Sequence, residues 1–216
     1  QPLPETADEA RAVIRALGNA DENTLWLGDE ATESRLKAKT DLATYSHLHF
    51  ATHAVVGNDL PNLTEPALIL AWEDGEDGFL TAREVAALDL NARLTVLSAC
   101  NTGNGEYFAG EGLMGMGRAF MEAGSERVVV SLWPVESFST KLLMEFFYGH
   151  LREGHAEDEA LWLAQQDLRA LESESSAGEE SRGIAISNGG SGGSLSRDKP
   201  FDNPFYWSPF VLISRE

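Results

Sequence analysis

Leu94-Thr95-Val96-Leu97-Ser98-Ala99-Cys100-Asn101-Thr102-Gly103 is a short apolar run that stops at the only cysteine of the chain. Leu94 to Ala99 reads as a buried strand. The residues after Cys100 are turn formers. A thiol is therefore expected at a strand's end, where a crevice can reach it. A second run of the same kind, His47-Leu48-His49-Phe50-Ala51-Thr52-His53, ends on a histidine. If the two strands are parallel neighbours, His53 and Cys100 fall on the same edge of one sheet.

Working outward, the pattern on both sides is that of an α/β chain. Thr6-Ala7-Asp8-Glu9 has the spacing of a capping box, and Ala10, Val13, Ile14 and Leu17 repeat on one helical face up to Gly18. Leu25-Trp26-Leu27 reads as a short strand, and Ala31 to Lys39 as a surface helix. Val55 to Pro66 is a loop rich in turn residues, and Ala67 to Trp72 returns as a strand. Glu73-Asp74-Gly75-Glu76-Asp77-Gly78 is an acidic, solvated hairpin tip. Thr81-Ala82-Arg83-Glu84 opens a second capped helix.

Past Cys100, glycines at 103, 105, 110, 112, 115 and 117 suggest close backbone approach to a substrate or a moving loop. Leu113, Met116, Phe120 and Ala123 mark a helix that Gly124 ends. Arg127 to Leu132 is an almost wholly apolar strand, as a sheet covered on both faces requires. Helices follow at about 139–151 and 156–171. Glu172 to Lys199 is poor in apolar residues and reads as a long flexible loop, extending to about 203, inside a single domain. Gly189 to Ser194 has the composition of a linker. Phe205-Tyr206-Trp207 and Phe210 to Ile213 supply a final strand around Pro209. Strands alternating with helices predict a three-layer α/β/α sandwich with a mostly parallel central sheet.

Composition limits what such a fold could do. The chain has 216 residues, 43% of them hydrophobic, and a formal net charge of −19. So acidic a surface disfavours nucleic acid and favours approach by a basic segment. No apolar stretch reaches the roughly 18 residues that would span a bilayer, so no membrane contact is expected. One cysteine excludes an internal disulfide and a cysteine-rich metal site, and it fits a reducing, cytoplasmic compartment. No phosphate loop, HExxH or EF-hand pattern is present, so no cofactor or metal is expected. The chain starts at Gln1 and reads as a piece of a longer one.

The chemistry that remains is that of a thiol beside a histidine. Cys100 can be the nucleophile and His53 the acid that protonates a leaving amine. His47 and His49 compete with His53, since all three share one face of an extended strand. The backbone amides of Ala54 and Cys100 are the natural donors to an oxyanion. His150 and His155 flank a helix end and read as surface residues.

His49-Phe50-Ala51-Thr52-His53 and Leu97-Ser98-Ala99-Cys100-Asn101-Thr102-Gly103 resemble the two signature segments of CHAT domains, peptidases akin to caspases and separases. The spacing from His53 to Cys100 is close to the roughly 50 residues of caspases. The resemblance extends to Leu27-Gly28-Asp29-Glu30-Ala31-Thr32, Leu63-Thr64-Glu65-Pro66-Ala67-Leu68, Ala109-Gly110-Glu111-Gly112-Leu113, Ser131-Leu132-Trp133-Pro134-Val135 and Pro204-Phe205-Tyr206-Trp207-Ser208-Pro209-Phe210.

This resemblance implies a caspase-like fold and a cysteine endopeptidase with a His53–Cys100 dyad. It implies a protein substrate, an upstream repeat or sensor module that regulates it, and a possible part in bacterial defence. Two positions depart from the family's pattern. Ala54 stands where glycine is usual after the histidine. Glu136 and Ser137 stand where two acidic residues are often found, which makes them, with Trp133, the substrate-binding candidates and weakens any preference for a basic residue before the cut. The alternative is a caspase-like interaction domain that has lost turnover. The loop at 172–199 is where self-cleavage or an activation switch would fit.

Overall fold

The computed structural model describes residues 4–18, 24–56, 63–101, 109–133, 136–171, 173–174 and 197–215. In chain order the elements are α1 (Pro4–Leu17), α2 (Glu33–Lys37), β1 (His47–Val55), β2 (Ala67–Ile69), β3 (Phe79–Thr81) and α3 (Ala82–Ala86). There follow β4 (Leu94–Asn101), α4 (Ala109–Ala123), β5 (Arg127–Ser131), α5 (Ser137–Glu153) and α6 (Glu157–Ala170). The last are β6 (Ser173–Glu174), β7 (Arg197–Asp198), α7 (Pro204–Trp207) and β8 (Phe210–Ser214).

Six strands form one sheet in the order β3-β2-β1-β4-β5-β8. Its centre is parallel: β1 pairs with β4, and β4 with β5. The flanks are antiparallel, through β1–β2, β2–β3 and β5–β8. Four strands (β1, β3, β4 and β5) therefore point one way, which is the mostly parallel sheet the sequence predicts.

The centre is parallel because its strands are apolar at successive positions and need cover on both faces. Val128, Val129 and Val130 are all fully buried. On one face Leu97, Ala99, Val128 and Val130 pack with Leu113, Met116 and Phe120 of α4 and Val85 of α3. On the other Leu94, Val96 and Val129 pack with Val13 of α1, Leu143 and Phe147 of α5, and Leu161 and Leu168 of α6. These are the helical stripes read from the sequence, and they make the three layers.

Helix ends follow their capping residues. Thr81 accepts from the Glu84 amide while the Glu84 carboxylate accepts from that of Thr81, the reciprocal box expected. Gly154 closes α5 at φ 96°.

Several elements differ from the sequence reading. α1 starts at Pro4, two residues before the expected cap, because proline is pre-set for a helix's first turn. Thr6 therefore lies inside the helix. Leu25-Trp26-Leu27 forms no strand and pairs with none among the described residues, although Leu27 itself is extended. The helix expected over 31–39 is only Glu33–Lys37, capped by Thr32; it lies at the surface through Ser34, Arg35 and Lys37, but Glu33 and Leu36 are buried beneath it. Phe205-Tyr206-Trp207 is a turn of helix rather than strand: Asn203 accepts from the Phe205 amide and Pro204 takes the first helical position. Glycines 110, 112, 115 and 117 belong to α4, not to a loop. Gly117 is there for packing, since a Cβ would lie 2.6 Å from Ile213 Cδ1. Glycines 103 and 105, and loop residues 57–62 and 175–196, lie outside the described residues.

The acidic hairpin tip is also more than a solvated turn. Lys37 Nζ donates to Glu33 at 3.2 Å, Glu76 at 2.9 Å and Glu84 at 2.7 Å, so α2, the hairpin and α3 meet on one ammonium. Burial alone would lower Lys37, but the three carboxylates outweigh it and hold its pKa well above the usual range. Burial raises Glu33 above its ordinary value, against its bonds to Lys37 and the Gly78 amide. At Glu84 burial is outweighed by Lys37 and Thr81, and the carboxyl is lowered. A lowered carboxyl contributes stability that is present above its unfolded pKa and lost as pH falls through its folded one. Lys37→Ala leaves Glu33 buried without its cation, so a loss of about 3 kcal/mol is expected in urea unfolding at neutral pH. The variant should also lose less stability than the parent on further acidification below about pH 4.

Candidate active site

β1 and β4 are in register from His47↔Leu94 to Ala54↔Asn101, which sets His53 level with Cys100 on adjacent strands. Level residues on neighbouring strands belong to the same face of a sheet. Leu94 and Val96 of β4 and His49 of β1 meet the α1/α5/α6 layer, so that is the face to which His53 belongs. Both strands run slightly further than expected: β1 continues to Val55 and β4 to Asn101. His53 and Cys100 therefore lie just inside the strand ends, still at the carboxyl edge where α/β folds open their crevices.

The register also separates the three histidines of β1. His47 sits at the opposite end, level with Leu94 and roughly 20 Å along the strand from His53. Burial, and then the charge of Arg93, push its pKa below the usual value. His49 is committed to structure: its Nε2 meets Glu9 Oε1 at 2.9 Å and its Nδ1 meets the Tyr148 hydroxyl at 3.0 Å. Burial pushes the Tyr148 phenol far above its ordinary range, so the hydroxyl keeps its proton. Glu9 and Tyr148 are themselves buried. This chain of bonds ties α1, β1 and α5 together directly beneath the His53–Cys100 level. Glu9→Ala would leave His49 buried with one partner, and a loss of about 2 kcal/mol in thermal or urea unfolding is expected.

The other candidates are placed as follows. Ala54 is 2% exposed and is flanked by register partners on both sides, Leu68 and Asn101. Trp133 follows β5, and its Nε1 donates to the Phe205 carbonyl at 3.2 Å. The Glu136 carboxylate caps α5, accepting from the Phe138 amide at 2.9 Å and the Ser139 amide at 2.8 Å. Ser137 is the first residue of α5. Trp133, Glu136 and Ser137 thus lie between the carboxyl end of β5 and the start of α5. β5 is parallel to β4, so this segment opens on the same edge as Cys100.

Two features of the site were not anticipated. The Glu9–His49–Tyr148 chain joins residues 40 and 99 positions apart, which no local pattern reports. Ser98, two residues before Cys100, is 6% exposed, and among the described residues its hydroxyl has no hydrogen-bond partner. A hydroxyl within an otherwise apolar strand was the available signal.

Among the described residues, two side-chain groups come within coordinating reach of a cation. Glu33, Glu76 and Glu84 already hold the Lys37 ammonium. His150, Glu153 and His155 lie at the end of α5, where His150 Nε2 is bonded to Asp167 at 2.6 Å and His155 Nδ1 pairs with Glu159 at 3.1 Å. No helix among the described residues is long and apolar enough to cross a membrane.

The chain is 26% identical over 246 residues to tetratricopeptide repeat protein 28 of Homo sapiens, and 27% identical to its namesake in Mus musculus. Each match takes in the whole of this chain but spans only 8% and 9% of those relatives. The family model described as CHAT domain matches residues 1–215. With its covered, mostly parallel sheet and that match, the chain belongs to the CHAT domain family, whose members are related to caspase-like cysteine peptidases.

Proposed function

We propose that the domain is a cysteine endopeptidase acting on a protein substrate through Cys100 and His53. The observation that carries this reading is the register of β1 and β4, which levels the two residues at the carboxyl edge of the sheet in a chain of the CHAT family. The Cys100 thiol passes its proton to His53, and its sulfur attacks the peptide carbonyl, forming a carbon–sulfur bond. The amides of Cys100 and Ala54 receive the oxyanion. Ala54 sits between two strands, so its donation would need a local yielding of the strand pairing. The carbon–nitrogen bond then breaks, and His53 gives its proton to the departing amine. Water attacks the thioester, His53 takes the water's proton, and an acid and the thiol are released.

Trp133, Glu136 and Ser137 would line the approach of the residue before the cut. With one acidic residue there, already capping α5, a strong preference for a basic residue is not expected. An upstream repeat region as regulator is supported by the printed name of the relatives, and a role in bacterial defence by the family resemblance alone. The second reading, an interaction domain without turnover, draws on Ala54 and on relatives named for a repeat rather than a peptidase.

A peptidyl acyloxymethyl ketone separates the two. Its expected result is a single covalent adduct on Cys100 by mass spectrometry, forming at least about 100-fold faster than in His53→Ala. Equal, slow labelling of both proteins would rule out the peptidase reading.

A further inference from the structure

The last turn of α5 folds two histidines onto each other. Gly154 takes φ 96°, and its amide bonds to the Leu151 carbonyl at 3.0 Å. The His155 amide bonds to the His150 carbonyl at 3.2 Å. This pair of bonds is the Schellman closure, which carries the residue after the glycine back over the helix end. On a helix that simply continued, residues 150 and 155 would point about 140° apart. Here the His150 and His155 rings stand edge to face, with centroids 5.7 Å apart.

His150 Nε2 lies 2.6 Å from Asp167 Oδ2 of α6. An ionised carboxylate only accepts, so Nε2 carries the ring's proton and Nδ1 of the neutral imidazole is a bare lone pair. Nδ1 is shut off from solvent and makes no hydrogen bond among the described residues. Glu153 Oε2 lies 3.4 Å from it, outside hydrogen-bonding geometry. A proton on Nδ1 would have no acceptor in line, and without one the atom is a buried acceptor with no donor. A ligating histidine is held in this way, with its other N–H on a carboxylate and the free nitrogen on the metal.

Glu153 and His155 supply further donors. One ligand atom from each of His150, Glu153 and His155 lies within 4.8 Å of the other two. With bonds of about 2.0 Å, neighbouring ligand atoms of a tetrahedral zinc site stand roughly 3.3 Å apart. His150 Nδ1 and Glu153 Oε2 already have close to that separation. His155, which pairs through Nδ1 with Glu159 at 3.1 Å, is part-exposed and has room to turn. Two imidazoles and a carboxylate suit zinc rather than calcium or magnesium, which take oxygen. The carbonyl end of α5 and the carboxylates of Glu153, Asp167 and Glu159 all favour a cation here.

We propose that His150, Glu153 and His155 form a binding site for Zn²⁺. Its ligands are His150 Nδ1, a carboxylate oxygen of Glu153 and a ring nitrogen of His155, with water in the fourth position. Through Asp167 the metal ties the end of α5 to α6. α5 is 17 residues long, so the site lies about 25 Å from Ser137 and stands apart from the proposed peptidase chemistry.

The test is titration of the full-length protein with Zn²⁺ against a chromophoric chelator, in a Cys100→Ala background that removes the thiolate as a competing ligand. The expected result is an equivalent bound with a Kd of about 10 μM or tighter, which weakens by about 100-fold in His155→Ala and by about 10-fold or more in Glu153→Gln. The Glu153 side chain is 61% exposed, so the second substitution leaves the fold intact. Calcium in about 100-fold excess should not displace the metal. The proposal falls if no equivalent of that affinity responds to both substitutions, or if calcium displaces the one that does.

Discussion

Cys100→Ala and His53→Ala are each expected to lower kcat/KM for peptide-bond cleavage by about 1,000-fold or more, and the double variant to fall no further than the worse single one. The reason lies in the shared step. On the proposed route the thiol forms the acyl-enzyme and the imidazole protonates the leaving amine. Removing either therefore removes the same route, and the second deletion finds nothing left to lose. The measurement is cleavage of a peptide library by the full-length protein, with unfolding midpoints recorded in parallel. His47→Ala provides the contrast: it sits at the other end of β1, level with Leu94, and should leave turnover within a few-fold. A His53→Ala protein cleaving at the parent's rate would remove His53 from the mechanism. Effects of the two substitutions that multiply would show them acting independently.

Gly124→Ala is expected to cost about 3–5 kcal/mol, a fall in Tm of about 10 °C or more for a chain of this size. Gly124 closes α4 at φ +125°, backbone that other residues avoid, and an added Cβ would sit 1.9 Å from the Leu90 carbonyl oxygen. That carbonyl is fixed, because the Leu90 amide bonds to the Ala123 carbonyl at 2.9 Å. Backbone would have to move against backbone just where α4 hands the chain to β5. Gly149→Ala is the matched control. A Cβ there meets nothing within 4 Å inside α5, so the change should be neutral or stabilising by up to about 1 kcal/mol. Equal melting of both variants would show that the α4–β5 junction relaxes freely.

Where the sequence was legible, a short-range pattern carried the information. Leu94 to Ala99 and Arg127 to Ser131 are apolar at successive positions, so their burial on both faces and central place could be read directly. The capping box at Thr81 needs only four residues. The thiol and histidine at the ends of two such runs followed from the same local signals, and the register places them level. What was missed depended on distant partners or on competing local chemistry. Phe205, Tyr206 and Trp207 favour strands, but Asn203 and Pro204 start a helix before that preference acts. Leu25 to Leu27 has the composition of a strand, yet pairing needs a neighbour. Glu33 and Lys37 look like an ordinary surface pair on a helix, and only the hairpin and α3 make them a junction of three elements. His49 could not be told from His53 by spacing, because Glu9 and Tyr148 reach it from other layers.

The ribbon of β6 and β7 has a practical corollary. Its two strands pair Ser173 with Asp198 and Glu174 with Arg197, so the chain leaves and rejoins the folded body at one point. Because the separation of those paired ends is already fixed, length added between them costs only a little more closure entropy. A fluorescent protein or a recognition tag spliced in there, or new termini cut there by permutation, should be borne without loss of the fold.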